Sequence, residues 1–339
     1  MQSCHLLLAT YRRHQWPKLS SFSVSSTLMG QVSQAYARAE FMKARRNGDC
    51  RVFKWTENAR FGFRNLDLKA AVLSALEAGY RHIDGAFVYG NEQAVGEALK
   101  DGMKRLNLRR EDVFITSKCC ETTLKDLQLS YVDLYLIHWP VALKPGDINF
   151  PKSGDGETLE LDHPPLAETW KAMEKLVDDK LVRSIGISNF NKRQIDMILG
   201  MCRIKPVNLQ VEIHANFPNT KLVEYAQSKG LTVTAYAPLG SPGASPGEVD
   251  LLTAPWVCEI ADRHQRTTSQ ILLRYLLQRN IVVIPKSVTP SRIVENSKIF
   301  DFKLSDEEMR LLNTRGVNKR QFVLASMRLH PEYPFKDEF

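Results

Sequence analysis

The chain has 339 residues, 43% hydrophobic and 25% charged, with a formal net charge of +8. These are globular values, and they exclude a largely disordered chain, a collagen and a coiled-coil rod. No run approaches the roughly 18 apolar residues of a membrane-spanning helix, so no membrane association is expected. Residues 1–60 hold ten Lys/Arg against three Asp/Glu, which leaves the rest of the chain close to neutral. The basic excess is therefore local, and no nucleic-acid partner is expected. The six cysteines show no CxxC or Cys/His spacing. That argues against a metal site and a disulfide framework and favours a reducing compartment such as the cytoplasm.

Residues 1–38 lack acidic residues and contain seven serines. That composition gives mitochondrial import as the alternative location. The segment 1–49 is expected to be a basic, poorly ordered extension, and 50–339 the folded domain. Residues 50–64 carry only a poor strand pattern. From there the rhythm is regular. A helix is predicted over 67–79, a strand in RHIDGA at 81–86, and a helix over 91–103. Strands follow in VFITSK at 113–118 and VDLYLIH at 132–138. Next come a helix over 166–179, a strand over 182–189, a helix over 192–199 and a strand over 208–214. A helix over 221–229 leads to a strand over 231–240. Helices over 254–264 and 269–278, a strand over 281–287 and a helix over 291–299 complete the series.

Seven apolar strands alternating with helices imply parallel strands covered by helices. No GxGxxG follows the first of them, which counts against a Rossmann sheet. The length suits a (β/α)8 TIM barrel, whose first strand must come from 50–64. Polar residues gather where these strands end: Asp84, Lys118, His138, Ser188 with Asn189, Gln210, Glu212 with His214, Tyr236, and Lys286 with Ser287. Barrel active sites form at that face. A lone rim histidine or lysine is ordinary, but an Asp, a Lys and a His at three successive strand ends are costly to desolvate unless paired. Tyr89 lies five residues past Asp84. A nearby ammonium is expected to lower its phenol, with Asp84 holding Lys118 charged. Such a set suits carbonyl reduction with a proton from tyrosine and a hydride from a cofactor.

The motifs resemble those of the aldo-keto reductases, most closely the aldose and aldehyde reductase branch. They are GYRHIDGAFVYGNEQAVGEAL at 79–99, VFITSK, VDLYLIHWP, VRSIGISNFN at 182–191, NLQVEIH, LTVTAYAPLGSP at 231–242, IVVIPKSVTPSRIVEN at 281–296 and HPEYPFKDEF at 330–339. The resemblance spans about 66–339. It implies a catalytic tetrad of Asp84, Tyr89, Lys118 and His138, with Tyr89 as general acid. It implies a substrate site of Tyr89, His138 and Trp139. It implies that Ser188, Asn189 and Gln210 hold the nicotinamide carboxamide, that Tyr236 stacks on the ring, and that Leu239 and Ser241 lie beside the cofactor. Lys286, Ser287 and Arg292 would clamp a 2′-phosphate, with Glu295 and Asn296 on the adenine, so the cofactor would be NADPH/NADP+. The loop at 240–250 resembles a closing lid. A monomer acting on a small carbonyl substrate is implied.

Two features depart from the family. Nothing in 1–65 matches its opening strand and Gly-Thr-Trp motif. The crossover from Lys118 to the next strand is only Cys119 to Tyr131, thirteen residues. A parallel crossover needs roughly ten to twelve including its helix, so a shortened third helix is expected over 119–125. The competing reading is a protein that binds the cofactor but is catalytically impaired.

Overall fold

The computed structural model describes residues 52–54, 65–118, 121–146, 149–154, 158–243, 250–337 and 339. The expected extension at 1–49, Cys119, Cys120 and the centre of the 240–250 loop lie outside the described residues.

Eight parallel strands form one sheet. They are β1 (Val52–Lys54), β2 (His82–Asp84), β3 (Phe114–Ser117), β4 (Val132–Ile137), β7 (Val182–Ser188), β8 (Asn208–Glu212), β9 (Thr232–Tyr236) and β10 (Ile281–Val283), paired in that order. A short antiparallel hairpin, β5 (Ala142–Leu143) with β6 (Leu161–Asp162), interrupts the series after β4. Helices cover the sheet: α1 (Asn65–Glu77), α2 (Glu92–Arg105), α3 (Glu121–Leu127), α4 (Leu166–Asp178), α5 (Lys192–Met201), α6 (Thr220–Ser228), α7 (Pro255–His264), α8 (Thr268–Gln278) and α9 (Pro290–Ser297). This is a (β/α)8 barrel. Its outer ring closes where α9 packs on α1, and the Tyr80 hydroxyl donates to the Ile293 carbonyl at 3.1 Å. Among the described residues no ladder joins β10 to β1.

The first strand does arise in the 50–64 window, in register with β2 from Val52 opposite His82 to Lys54 opposite Asp84. The third helix is short, as the crossover length requires, with seven residues from Glu121 to Leu127. Sequence reading missed the β5–β6 hairpin and a last helix, α10 (Asp306–Thr314). The helix carried a legible start signal: the Ser305 hydroxyl accepts from the Glu308 amide, and the Glu308 carboxylate accepts from the Ser305 amide at 2.8 Å. That capping box resembles those opening α5 and α8, and each such cap contributes about 1 kcal/mol.

The strands alternate with the pleat. Ile115, Tyr135, Ile137, Ile185, Ile187, Leu209, Val211, Val233 and Ala235 join the core beneath the helices. The other faces point into the barrel. Phe114, Tyr236, Val282 and Ile284 cluster there, and Asn208 donates to the hydroxyls of Thr232 and Thr234 at 3.0 and 2.8 Å. Gly186 is required by this filling. A Cβ there would meet Leu136 Cδ2 at 2.7 Å and the Asn208 carbonyl oxygen at 2.8 Å. With the interior plugged by side chains, chemistry is confined to the rim at the strands' C-terminal ends.

Candidate active site

Asp84 ends β2 and is buried. Beyond it the chain is pinned to β3 by two backbone hydrogen bonds, Gly85 N to Thr116 O at 2.9 Å and Phe87 N to Lys118 O at 3.1 Å. A single 3-10 turn, Phe87–Tyr89, then lifts Tyr89 to the rim, and Gly90 follows in the left-handed region at φ 65°. Glycine takes that conformation without the Cβ clash of other residues, so the link turns sharply into α2.

Lys118 lies one residue past β3, with its side chain fully buried. Its ammonium donates to Asp84 Oδ1 at 2.7 Å and to the Gly85 carbonyl at 2.9 Å. Gln210, from β8 across the barrel, donates to Asp84 Oδ2 at 2.7 Å. Both carboxylate oxygens are thus satisfied and the buried pair is close to neutral, the condition under which such a pair is tolerated. The ammonium stands 5.9 Å from the centre of the Tyr89 ring. On the other side, the Tyr89 and His138 rings meet edge-on, with centres 6.0 Å apart. Trp139 leaves the same strand end and packs edge-on against Phe335 of the C-terminal tail at 5.6 Å.

One expectation is corrected. The phenol of Tyr89 is not lowered. Burial, and secondly the Asp84 carboxylate, hold it well above the ordinary tyrosine value. Lys118 is engaged with Asp84 and Gly85, so its charge is largely compensated before it reaches the ring. Tyr89 therefore keeps its proton through the neutral range.

A second group lies across the mouth on β7 to β9. Asn189 adopts a left-handed conformation at φ 62°. Its amide donates to the His138 carbonyl at 2.9 Å and to the Ser188 hydroxyl at 3.2 Å, and its oxygen accepts from the Tyr236 hydroxyl at 2.8 Å. These bonds tie the His138 strand end to Tyr236. Burial raises the Tyr236 phenol well above its usual value. Leu239 packs against the core, and Ser241 has a positive φ of 48°.

The third group follows β10. Lys286 is half-buried and its ammonium is lowered by that burial, whereas Arg292 is exposed on α9. The Ser287 hydroxyl accepts from the Thr289 amide at 3.1 Å, and Glu295 accepts from the Thr267 hydroxyl at 2.8 Å. The buried Asn296 Oδ1 has no hydrogen-bond partner among the described residues. A buried acceptor left open in this way suits an amino group such as adenine carries. A desolvated ammonium and a hydroxyl after β10, with an exposed guanidinium on the helix that follows, suit a phosphate. The residues present therefore fit a phosphorylated dinucleotide.

Sequence reading placed Glu212 with His214 at a strand end but missed their contacts with the tail, and it missed a second buried cluster altogether. Glu212, at the end of β8, accepts from the Gln321 and Phe322 amides at 2.7 and 2.9 Å and bonds to His214 at 2.9 Å, which latches the tail over the mouth. Phe322 lies edge-on to Tyr236 with ring centres 5.5 Å apart, and Arg320 lies over Phe335 at 3.8 Å. The second is Glu92, which is buried at the start of α2 and accepts from Ser117 and Thr123. Its signal was an acid on the apolar side of a helix. Among the described residues no helix is long and apolar enough to cross a membrane.

Comparison with known proteins agrees with this geometry. The family model described as "Aldo/keto reductase family" matches residues 62–314. The chain is 46% identical over 298 residues to aldo-keto reductase family 1 member A1-A of Danio rerio, covering 80% of this chain and 92% of the relative. It is also 46% identical over 298 residues to family 1 member A1 of Homo sapiens, covering 80% and 91%. Among solved structures, the aldose reductase from Schistosoma japonicum shares 57% identity at a TM-score of 0.79, covering 85% of this chain and 95% of that one. With the barrel, the clustered rim residues and these similarities in agreement, the chain belongs to the aldo/keto reductase family.

Proposed function

We propose that the protein is an NADPH-dependent reductase of small aldehydes and ketones. The observation that carries this reading is the buried Asp84–Lys118–Gln210 network set beneath the paired rings of Tyr89 and His138. When bound, NADPH supplies the hydride. Lys286, Ser287 and Arg292 would hold its 2′-phosphate, Glu295 and Asn296 its adenine, and Ser188, Asn189, Gln210, Tyr236, Leu239 and Ser241 its nicotinamide half.

The chain's own residues do the remainder. Tyr89, His138 and Trp139 form the wall against which a carbonyl carbon is presented. The His138 ring and the Tyr89 hydroxyl are the groups able to hydrogen-bond its oxygen. As negative charge develops there, the Tyr89 O–H bond breaks and an O–H bond forms on the substrate. A high phenol value suits this step. The proton stays on Tyr89 until an oxygen more basic than phenolate appears, and a strong base of that kind arises only as the carbonyl is reduced. The resulting phenolate has its ring centre 5.9 Å from the Lys118 ammonium, and its proton returns from solvent. The tail, latched through Glu212, sets Phe322 against Tyr236 at the mouth.

In the same reading, residues 50–339 form one domain, the protein is a monomer, and it resides in the cytoplasm. Size-exclusion chromatography and cell fractionation test the last two, and a mitochondrial location would contradict the cytoplasmic assignment. The test of function is loss of reduced-nicotinamide absorbance with a reactive aromatic aldehyde. Steady turnover is expected. Tight NADPH binding without oxidation by folded protein would overturn the enzyme reading and leave a cofactor-binding protein.

A further inference from the structure

Glu92 is three residues past Tyr89 and opens α2. Only 4% of it is exposed. Ser117 donates to one of its carboxylate oxygens at 2.6 Å and Thr123 to the other at 2.7 Å. Both hydroxyl residues are buried as well. Ser117 is the residue before Lys118, and Thr123 is the third residue of the short helix α3. One carboxylate therefore joins three elements: the link that carries Tyr89, the strand end that carries Lys118, and the helix that receives the abbreviated crossover. The charged groups facing it are Asp126 of α3 and Lys118. The Lys118 ammonium is already bound to Asp84, so Glu92 holds its charge with hydroxyl donors alone.

We propose that Glu92 is a positioning residue for the reduction, acting through Ser117 and Thr123 to hold the Lys118 ammonium against Asp84 and beneath Tyr89. The inference rests on the reductase reading above. Burying a carboxylate without its own cation is costly, and only the ionised acid accepts from both hydroxyls at once. Burial is the largest influence on this group, with Asp126 adding to it, and together they push the Glu92 carboxyl up to about 7 against the two hydroxyl bonds. Above that value both oxygens accept. Below it one oxygen becomes a donor, and Ser117 or Thr123 must rotate away. The bridge therefore slackens as pH falls through about 7. The raised phenol of Tyr89 gives no loss of activity in that range, because its proton is already in place. An acid-side decline in kcat therefore does not come from the Tyr89 proton, and the amide variant decides whether it belongs to Glu92.

The experiment compares kcat against pH for wild type, Glu92→Gln and Glu92→Ala, together with the chemical shift of the isotope-labelled Lys118 methylene beside its nitrogen. Lys118→Met identifies that signal. In the wild type, kcat and the Lys118 signal should both step near pH 7. Glu92→Gln presents one acceptor and one donor, like the protonated acid, and does not titrate, so both steps should vanish and kcat should stay at its acid-side level throughout. Glu92→Ala should lower kcat about tenfold or more, the loss expected for a charge-assisted hydrogen bond, with NADPH affinity changed less than about twofold. Persistence of the acid-side step in Glu92→Gln, or wild-type kcat in folded Glu92→Ala, would overturn the proposal. Should Glu92→Ala fail to fold, the amide variant decides. Should the wild type show no turnover at all, the reductase reading fails, and the Lys118 signal still decides the positioning role.

Discussion

Replacing Lys118 by Met is the most informative single change at the mouth. It removes the ammonium and roughly preserves the volume of the side chain. Two contacts are lost, the 2.7 Å pair with Asp84 and the 2.9 Å bond to the Gly85 carbonyl. At an effective dielectric of about 20, unit charges at this separation attract by about 6 kcal/mol, most of which is offset by desolvation in the intact protein. What decides the outcome is the charge left behind. Asp84 is 1% exposed and, among the described residues, would retain the Gln210 amide as its side-chain donor. Breaking a buried pair from one side costs about 3–5 kcal/mol, against about 1 kcal/mol for an ordinary hydrogen bond. Urea unfolding should therefore show a loss of about 3–5 kcal/mol. The double variant Asp84→Asn/Lys118→Met should recover a large part of that loss, because no orphan charge remains. Turnover should fall at least about a hundredfold in both variants, the usual scale of assisted proton transfer, while NADPH still binds. A single variant within about 1 kcal/mol of wild type, or a double variant less stable than the single, would refute the account of the buried pair. A kcat within about tenfold of wild type would refute the role of the ammonium.

Three further outcomes follow from other sites. His82 bonds to the Thr116 hydroxyl at 2.8 Å inside the barrel and is pushed down to about 4, chiefly by burial. Its unfolded state therefore binds the proton first, and the stability it contributes, full above about 6.5, is lost as pH falls toward 4, by up to about 3 kcal/mol; His82→Gln should flatten that part of the stability–pH curve. Gly186→Ala should destabilise by about 1–3 kcal/mol, since the added methyl meets Leu136 and the Asn208 backbone; an unchanged thermal midpoint would contradict the packed interior. Binding titrations should give NADPH a preference of about tenfold or more over NADH, and Arg292→Ala should reduce it, because a charge-assisted bond to a phosphate is worth about 1.5–3 kcal/mol; equal affinities in the wild type would remove the clamp.

Much of the barrel was legible because it is written locally. Apolar strands of period two, helices of period 3.6 and their strict alternation admit few packings, and polar residues at strand ends then share one rim by topology alone. The weak first strand was locatable only by counting, since Val52–Lys54 gains its place from pairing with β2 rather than from its own pattern. Helix α10 carries its capping box in the sequence, but Asp306, Glu307 and Glu308 in its first turn break the apolar rhythm that marks the other helices.

The amino-acid sequence by itself determined the order of the barrel strands and the helices between them, the short third helix and the identity of the rim residues. These depend on periodicity, on chain length and on side-chain chemistry, all of which are local. The tertiary structure alone decided which of those residues share a proton or a charge. Asp84 takes its second donor from Gln210, 126 positions away. Glu212 takes the Phe322 amide from 110 positions away. The tyrosine predicted to be lowered is instead raised, because the degree of burial and the prior commitment of Lys118 to Asp84 are properties of packing. Electrostatic energies depend on distance and desolvation, and neither quantity exists until the strands have closed around one another.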